Sequence, residues 1–309
     1  MYNSSVNDEQ RLRFKLQQLK KLFDFKALLE TDTDIKSISK YYKTNRFFYT
    51  FLSNRDNFIH MAISRNGKLR KEDFLVQVKI VEKYINTNTK NILELATGRG
   101  ANLIYLAKKY PNINLVGIDL PNGQLDFAIK NGGGLRNFKP EVGDFHDLSK
   151  YSDNFFDIVF IIEALCHSSQ KEKVIKEAKR VLKDKGIFIV IDGFADKSNL
   201  NKDELLAKKL VEKSMTVASF DNYNSFIKML INNNLRIVLE EDYSLQIMPS
   251  LRRFEKDAKI LLFLPTFIAK LLLKLFPQDF TKNAIAGYLM PELIKLRLAK
   301  YGVVASKLG

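Results

Sequence analysis

Residues 91 to 119 constrain the fold of this chain more than any other stretch. They open with a short apolar run, 92–96, of a length that suits a buried parallel strand. Gly98 and Gly100 follow, permitting a tight turn and a close approach of bare backbone to a ligand. From Ala101 the apolar spacing becomes helical through Leu103, Ile104, Leu106 and Ala107, and it ends near Tyr110-Pro111. A second apolar strand, 113–118, stops on Asp119. Strand, glycine turn, helix and strand with a terminal acid form a unit that holds a nucleoside: the acid accepts ribose hydroxyls, and polar groups meet the helix N-terminus. A dinucleotide fingerprint requires a third glycine where this chain has Leu103, so a pyrophosphate fits poorly.

The unit resembles the first motif of the class I S-adenosylmethionine-dependent methyltransferases, an acid-x-Gly-x-Gly-x-Gly pattern closing the first strand. Glu94, Gly98 and Gly100 match it, and Ala96 replaces the first glycine. A further stretch, Phe155-Phe-Asp-Ile-Val-Phe-Ile-Ile-Glu-Ala-Leu-Cys-His167, is followed by Arg180-Val-Leu-Lys-Asp-Lys-Gly186. Together these resemble paired segments of sterol and related small-molecule C-methyltransferases, with Asp184-Lys185-Gly186 replacing a double glycine. The likeness covers residues 90–193 well and 41–62 loosely.

The alternation continues beyond Asp119. We expect a helix over 124–130, a third strand over 138–142, a fourth over 155–162 and a helix over 170–182 capped by Lys185-Gly186. A fifth strand, 187–191, helices within 202–232, a sixth strand over 236–243 and a seventh over 301–306 complete the pattern. The fold class is α/β, a doubly wound Rossmann-like sheet of seven strands. Residues 1–88 read as a helical N-terminal extension, 89–249 as the methyltransferase core, 250–299 as a helical lid insert between strands six and seven, and 300–309 as the final core strand.

Within the extension, 9–30 reads as one amphipathic helix with Arg11, Arg13, Lys15, Lys20 and Lys21 on a solvated face. An aromatic cluster follows, Tyr41-Tyr42 and Phe47-Phe48-Tyr49 with Phe51, which suits domain packing or a lid over a sulfonium cofactor. A helix over 72–86 leads into the first strand. In the insert, 256–276 reads as one helix kinked at Pro265, with Lys259, Thr266, Lys270 and Lys274 on a narrow face and aliphatic residues elsewhere. Its uncharged part is too short to cross a bilayer, which takes about 20 residues. It suits a buried lid over an apolar pocket, or a helix lying on a membrane surface through its lysines; the two roles are compatible.

The resemblance implies S-adenosylmethionine as cofactor, with Glu94, Ala96, Gly98 and Gly100 along the methionyl part, Asp119 on the ribose, and Asp144 and Phe145 at the adenine. Glu163 ends the fourth strand, where ligands sit in open α/β sheets. Methyl transfer to an alkene carbon leaves a cation and a proton to remove, so Glu163 and His167 are the candidate catalytic residues. The alternative is that both merely orient the loop, and for His167 the two readings weigh equally.

His60 and His146 read as structural, and three scattered histidines with one cysteine give no metal site. Lone Cys166 and the absence of a signal-like start fit a reducing cytoplasm. The net charge of +15 suits anionic lipid, nucleic acid or acidic substrates, although a chain rich in Lys, Asn and Ile reaches that value through coding bias as well. The Asn/Asp-Pro-Pro-Tyr run of base N-methyltransferases is missing after strand four, which has Ile162-Glu-Ala-Leu instead. The expected acceptor is a small, apolar, lipid- or isoprenoid-like molecule rather than nucleic acid, with a peripheral place on an anionic membrane as an extension. O- or N-methylation of another metabolite is the alternative, and a silent scaffold is a further one.

Overall fold

The structure, a computed structural model, describes residues 2–52 and 57–309, with side chains described at 7–46 and 57–309. Its centre is a sheet of β1 (Asn91–Leu95), β2 (Asn114–Asp119), β3 (Phe138–Val142), β4 (Phe156–Ile162), β5 (Leu182–Ala195), β6 (Leu235–Asp242) and β7 (Ala299–Leu308), in the order β3-β2-β1-β4-β5-β7-β6. The first five strands pair in parallel, and β7 runs antiparallel between β5 and β6. β1 is sandwiched, Leu93 facing Val116 on one side and Val159 on the other. Side chains alternate between the two faces: Ile92, Ile158 and Phe160 join one core, and Leu93, Val159 and Ile161 the other. Because both faces are covered, the strands are nearly continuous apolar runs, which is what made them legible. Strand order reverses at β1, so a crevice opens at the carboxyl ends of β1 and β4.

The helices, in chain order, are α1 (Tyr2–Lys20), α2 (Phe25–Leu29), α3 (Ile35–Leu52), α4 (Val76–Glu82), α5 (Ala101–Lys109), α6 (Leu125–Gly132), α7 (Lys171–Val181), α8 (Lys202–Ser214), α9 (Tyr223–Asn232), α10 (Met248–Leu262), α11 (Thr266–Leu275), α12 (Gln278–Thr281) and α13 (Asn283–Lys295).

Several expectations need correction. The helix expected over 9–30 is two, because the Asp24 side chain accepts from Ala27 N at 3.1 Å and starts α2 afresh. Residues 71–75 are a 3-10 turn before α4. The kinked helix over 256–276 is also two: α10 stops at Leu262, and Pro265, lacking an N–H, caps α11 instead of continuing the first helix. Gly186 is not a helix cap. α7 ends where Leu182 turns extended, and Gly186 lies inside β5, where the β4–β5 pairing shifts register between Phe156 and Ile158. The aromatic cluster falls on α3; the side chains of Phe47, Phe48, Tyr49 and Phe51 lie outside the described residues.

Lys15 is the largest departure. Instead of facing solvent it is buried, pairing with Glu255 at 2.8 Å and Glu292 at 3.0 Å and donating to the Tyr288 carbonyl at 2.7 Å. Those partners belong to α10 and α13, so the N-terminal extension and the insert are joined. α13 is itself core, with Ile285, Tyr288, Leu289 and Leu293 buried.

Candidate active site

The turn after β1 is built from left-handed residues: Ala96 at φ 56°, Gly98 at 56° and Gly100 at 72°. The left-handed backbone favours glycine at both positions, and at Gly100 space does too, since a Cβ there would stand 2.8 Å from Phe138 Cζ and 3.0 Å from Ala128 Cβ. The Gly98 N–H donates to Asp119 Oδ2 at 2.6 Å, and Oδ1 accepts from Leu120 N at 2.7 Å and Asn122 Nδ2 at 2.8 Å. Glu94 accepts from Thr97 Oγ1 at 2.5 Å and Asn102 Nδ2 at 2.7 Å. Burial pushes the Glu94 carboxyl up to about 8 and Asp119 up to about 6, since a charged carboxylate loses its hydration there.

These groups line a cavity of about 640 Å³, a size typical of ligand sites. Glu94, Ala96, Gly98, Asp119, Asp144 and Phe145 all reach its wall. Gly100 does not; it forms the left-handed N-cap of α5 and packs on Phe138 and Ala128. Asp144 Oδ1 lies 2.6 Å from His146 Nδ1, and His146 Nε2 lies 2.7 Å from Ser168 Oγ, so His146 holds this acid while also facing the cavity.

Glu163 follows β4 in the left-handed region at φ 50°, a strained choice for a residue with a side chain. Its Oε1 accepts from Met61 N at 2.9 Å and from the Tyr301 hydroxyl at 2.6 Å. Among the described residues, no hydrogen-bond partner faces its other oxygen. Burial, with nearby Asp192, pushes the Glu163 carboxyl up to about 7. His167 Nδ1 donates to the Thr216 carbonyl at 2.9 Å, which leaves Nε2 to accept from the Tyr42 hydroxyl at 3.0 Å. Burial lowers the His167 pKa and favours the neutral ring.

Tyr42 is carried by α3, which is tied down over the crevice: buried Arg99 donates to Gln124 Oε1 at 2.9 Å and to the Arg46 carbonyl at 2.8 Å, and Gln124 donates to the Tyr42 carbonyl at 3.1 Å. The pairing of Tyr42, singled out as packing or lid, with His167 escaped the sequence reading, as did Tyr301, Thr97 and Asn102 as site residues. The two tyrosines come from segments far away in the chain; Thr97 and Asn102 lie within the glycine turn, where their polarity was the available signal.

A second cavity of about 390 Å³ lies beneath the insert, lined mainly by apolar side chains such as Phe58, Leu69, Phe74, Leu261 and Leu272. His60, Met61, Glu163 and Met290 line both cavities, so Glu163 stands in the wall between the cavity at the glycine turn and a more apolar one.

A methyltransferase domain family matches residues 86–252, more than half of the chain. Demethylmenaquinone methyltransferase of Thermotoga maritima is 32% identical over 114 residues, 37% of this chain and 48% of that protein, so the match spans about half of the relative's length. The ubiquinone/menaquinone biosynthesis C-methyltransferase UbiE of Rickettsia prowazekii is 33% identical over 143 residues, 44% of this chain and 54% of that one. Among solved structures, the cyclase SpnF superposes with a TM-score of 0.70 at 15% identity, over 90% of this chain and 98% of that one. Geranyl diphosphate C-methyltransferase from Streptomyces coelicolor, solved with geranyl diphosphate and S-adenosyl-L-homocysteine, gives 0.62 at 13% identity, over 87% and 98%. At these identities the superpositions speak for the fold. The chain belongs to the methyltransferase domain family, the class I S-adenosylmethionine-dependent methyltransferases, with C-methyltransferases among its relatives.

Proposed function

We propose that the protein transfers the methyl group of S-adenosylmethionine to a small apolar acceptor of lipid or isoprenoid type, at carbon. The observation that carries this reading is Glu163, clamped through one oxygen in the wall shared by the two cavities. The first cavity fits the cofactor: its turn is stripped of side chains at Gly98, and its acids, Glu94 and Asp119, are ones a bound cation would favour in the charged form. Glu94, Ala96 and Gly98 would hold the methionyl part, Asp119 the ribose, and Asp144 and Phe145 the adenine. S-adenosylmethionine supplies an electrophilic methyl group and leaves as its neutral thioether.

The chain's own groups do the rest. The apolar cavity holds the acceptor in line and excludes water. An alkene that gains a methyl carries a positive charge on the neighbouring carbon, and the Glu163 carboxylate opposes that charge in a dry site. The Tyr42 hydroxyl, hydrogen-bonded to neutral His167, takes the proton that restores the double bond and relays it to Nε2. The same reading makes the protein cytoplasmic and peripheral on an anionic membrane, where such acceptors dissolve.

Nitrogen methylation is the alternative, because Glu163 would also pair with a cationic amine and N-methyltransferases are among the matching relatives. The test is to offer the protein methyl-labelled S-adenosylmethionine with apolar and aqueous metabolite extracts. We expect a labelled carbon–methyl product in the apolar extract. Label confined to a polar amine product overturns the carbon reading, and cofactor binding without transfer from either extract overturns the methyltransferase reading.

A further inference from the structure

Helices α10 and α11 leave an apolar face in the open. Ile260, Phe263, Phe267, Leu271 and Leu275 are 57–75% exposed, whereas the apolar runs of β1, β2 and β4 are buried. On α11, Phe267, Leu271 and Leu275 recur every four residues and so form one outward stripe. The inner side of the same helix is different: Ala269 is buried, and Leu272 and Leu273 line the second cavity. α11 therefore has two apolar sides, and packing within the chain explains one of them.

Charge indicates what covers the other. Lys270 and Lys274, also four apart, are exposed beside the stripe, and Lys256 is exposed on α10. No acidic residue occurs between Asp257 and Asp279. An apolar stripe edged by lysines is the arrangement of a helix lying in the interface of an anionic bilayer: the stripe enters the acyl boundary and the ammonium groups reach the headgroups. No helix among the described residues is long and apolar enough to cross a membrane.

The face is continuous with the second cavity. Phe254 and Phe276 are 39% and 43% exposed, and both line that cavity, so they stand at its outer rim. At its other end the cavity reaches Glu163.

We propose that the outer face of α10 and α11 docks on an anionic lipid surface, and that the second cavity opens onto that surface between Phe254 and Phe276, so that an apolar acceptor passes from the bilayer to Glu163 without entering water. The route rests on the acceptor class proposed above; the docking rests on the face alone.

The chain has no tryptophan, so one introduced indole reports its own surroundings. Phe267→Trp and Phe276→Trp place it on the stripe and at the rim, and Ile129→Trp places it at an exposed site on α6 as a control. The probes are vesicles of phosphatidylcholine with and without phosphatidylglycerol, and the same vesicles with brominated acyl chains. We expect a blue shift and bromine quenching at 267 and 276 with phosphatidylglycerol present, and neither at 129. Lys270→Gln with Lys274→Gln should weaken vesicle binding roughly 25-fold, about fivefold for each lysine charge lost. Phe267→Ser with Leu271→Ser and Leu275→Ser should abolish binding while S-adenosylmethionine affinity by calorimetry stays at the wild-type value. An indole at 267 unmoved by anionic vesicles overturns the docking, as does sedimentation showing that the stripe instead joins two copies of the chain. Quenching at 267 without quenching at 276 overturns the route. Label transfer to an apolar product in either of those cases would leave the proposed reaction standing, which separates the two failures.

Discussion

Glu163→Gln tests the proposed chemistry most directly. The substitution keeps the size of the side chain. Met61 N and the Tyr301 hydroxyl both donate to one oxygen, so the glutamine carbonyl must take that place and the new NH2 group faces the cavity wall. A carboxylate is thus replaced by the positive end of an amide dipole. At about 4 Å and an effective dielectric near 20, the charge–charge attraction lost is about 4 kcal/mol. Mutation of a single preorganised contact elsewhere costs about 3–4 kcal/mol, or a hundred- to a thousandfold in turnover. We expect kcat to fall by about a hundredfold or more, with S-adenosylmethionine affinity nearly unchanged. There is a pH signature as well. The Glu163 carboxyl is raised to about 7 and the active form is the carboxylate, so wild-type kcat/KM should climb with pH through 7, and the Gln variant should lose that limb. Single-turnover rates and calorimetry across pH 5–9 supply both readouts. Unchanged turnover would refute the role. Turnover and cofactor affinity falling together would place Glu163 in the binding site and leave the carbon reading without its main residue.

Four further outcomes are expected. Asp119→Ala should weaken S-adenosylmethionine binding roughly ten- to a hundredfold, the worth of about 1.5–3 kcal/mol for a charged hydrogen-bond partner, and wild-type affinity in a folded variant would refute the assignment. At pH 7 cofactor binding should release protons, because burial holds Glu94 near 8 and Glu163 near 7, and a bound cation favours the carboxylates; calorimetry in buffers of different ionisation enthalpy measures this. The sign for stability is opposite to that of an ordinary carboxylate: these raised acids stabilise the free protein fully below about pH 4, and that contribution fades as pH rises from about 4 to about 8, so the melting temperature of the free protein should drop across that interval. Lys15→Ala should destabilise the fold by about 3 kcal/mol in denaturant titration, toward the lower end for a broken buried pair, since buried Glu292 loses its buried partner and keeps only Lys295 at 3.2 Å and Arg11 at 4.0 Å, and a loss below about 1 kcal/mol would mean that the ion pair contributes little.

What could be read in the sequence was local. The glycine turn, Asp119 and the five parallel strands each declare themselves within a dozen residues, because backbone conformation and strand burial constrain neighbouring positions. Glu163 was legible for the same reason, as the first polar residue after a buried strand. The partners of these residues were hidden. Tyr301 lies 138 residues from Glu163, Tyr42 lies 125 from His167, and Lys15 finds Glu255 and Glu292 at the far end of the chain. A helical periodicity places Lys15 among charged neighbours and cannot see the acids that bury it. Helix breaks were lost in the same way: Asp24 and Pro265 each restart a helix through one local bond or its absence, which an apolar stripe read at three- and four-residue spacing passes over.

The placement of Glu163 links the extension, the sheet and the insert. β4 delivers the residue at the crevice, and its left-handed backbone costs about 1 kcal/mol in folding. Met61, which donates to it, is itself held by Gln77 Nε2 on its carbonyl, and the next residue donates from Ala62 N to Ser250 Oγ of α10 at 3.1 Å. Tyr301 arrives on β7, paired with Gly193 of β5 next to β4. Three segments distant in sequence therefore fix one oxygen of one acid and leave the other uncommitted. A floppy carboxylate would turn toward water and lose most of its effect on a cation. One pinned through a single oxygen keeps its charge at the wall between the two cavities, so the reorganisation is complete before any acceptor arrives. The insert that supplies Ser250 also carries the exposed stripe, so the same helix that bonds to Ala62 bears part of the outer apolar face.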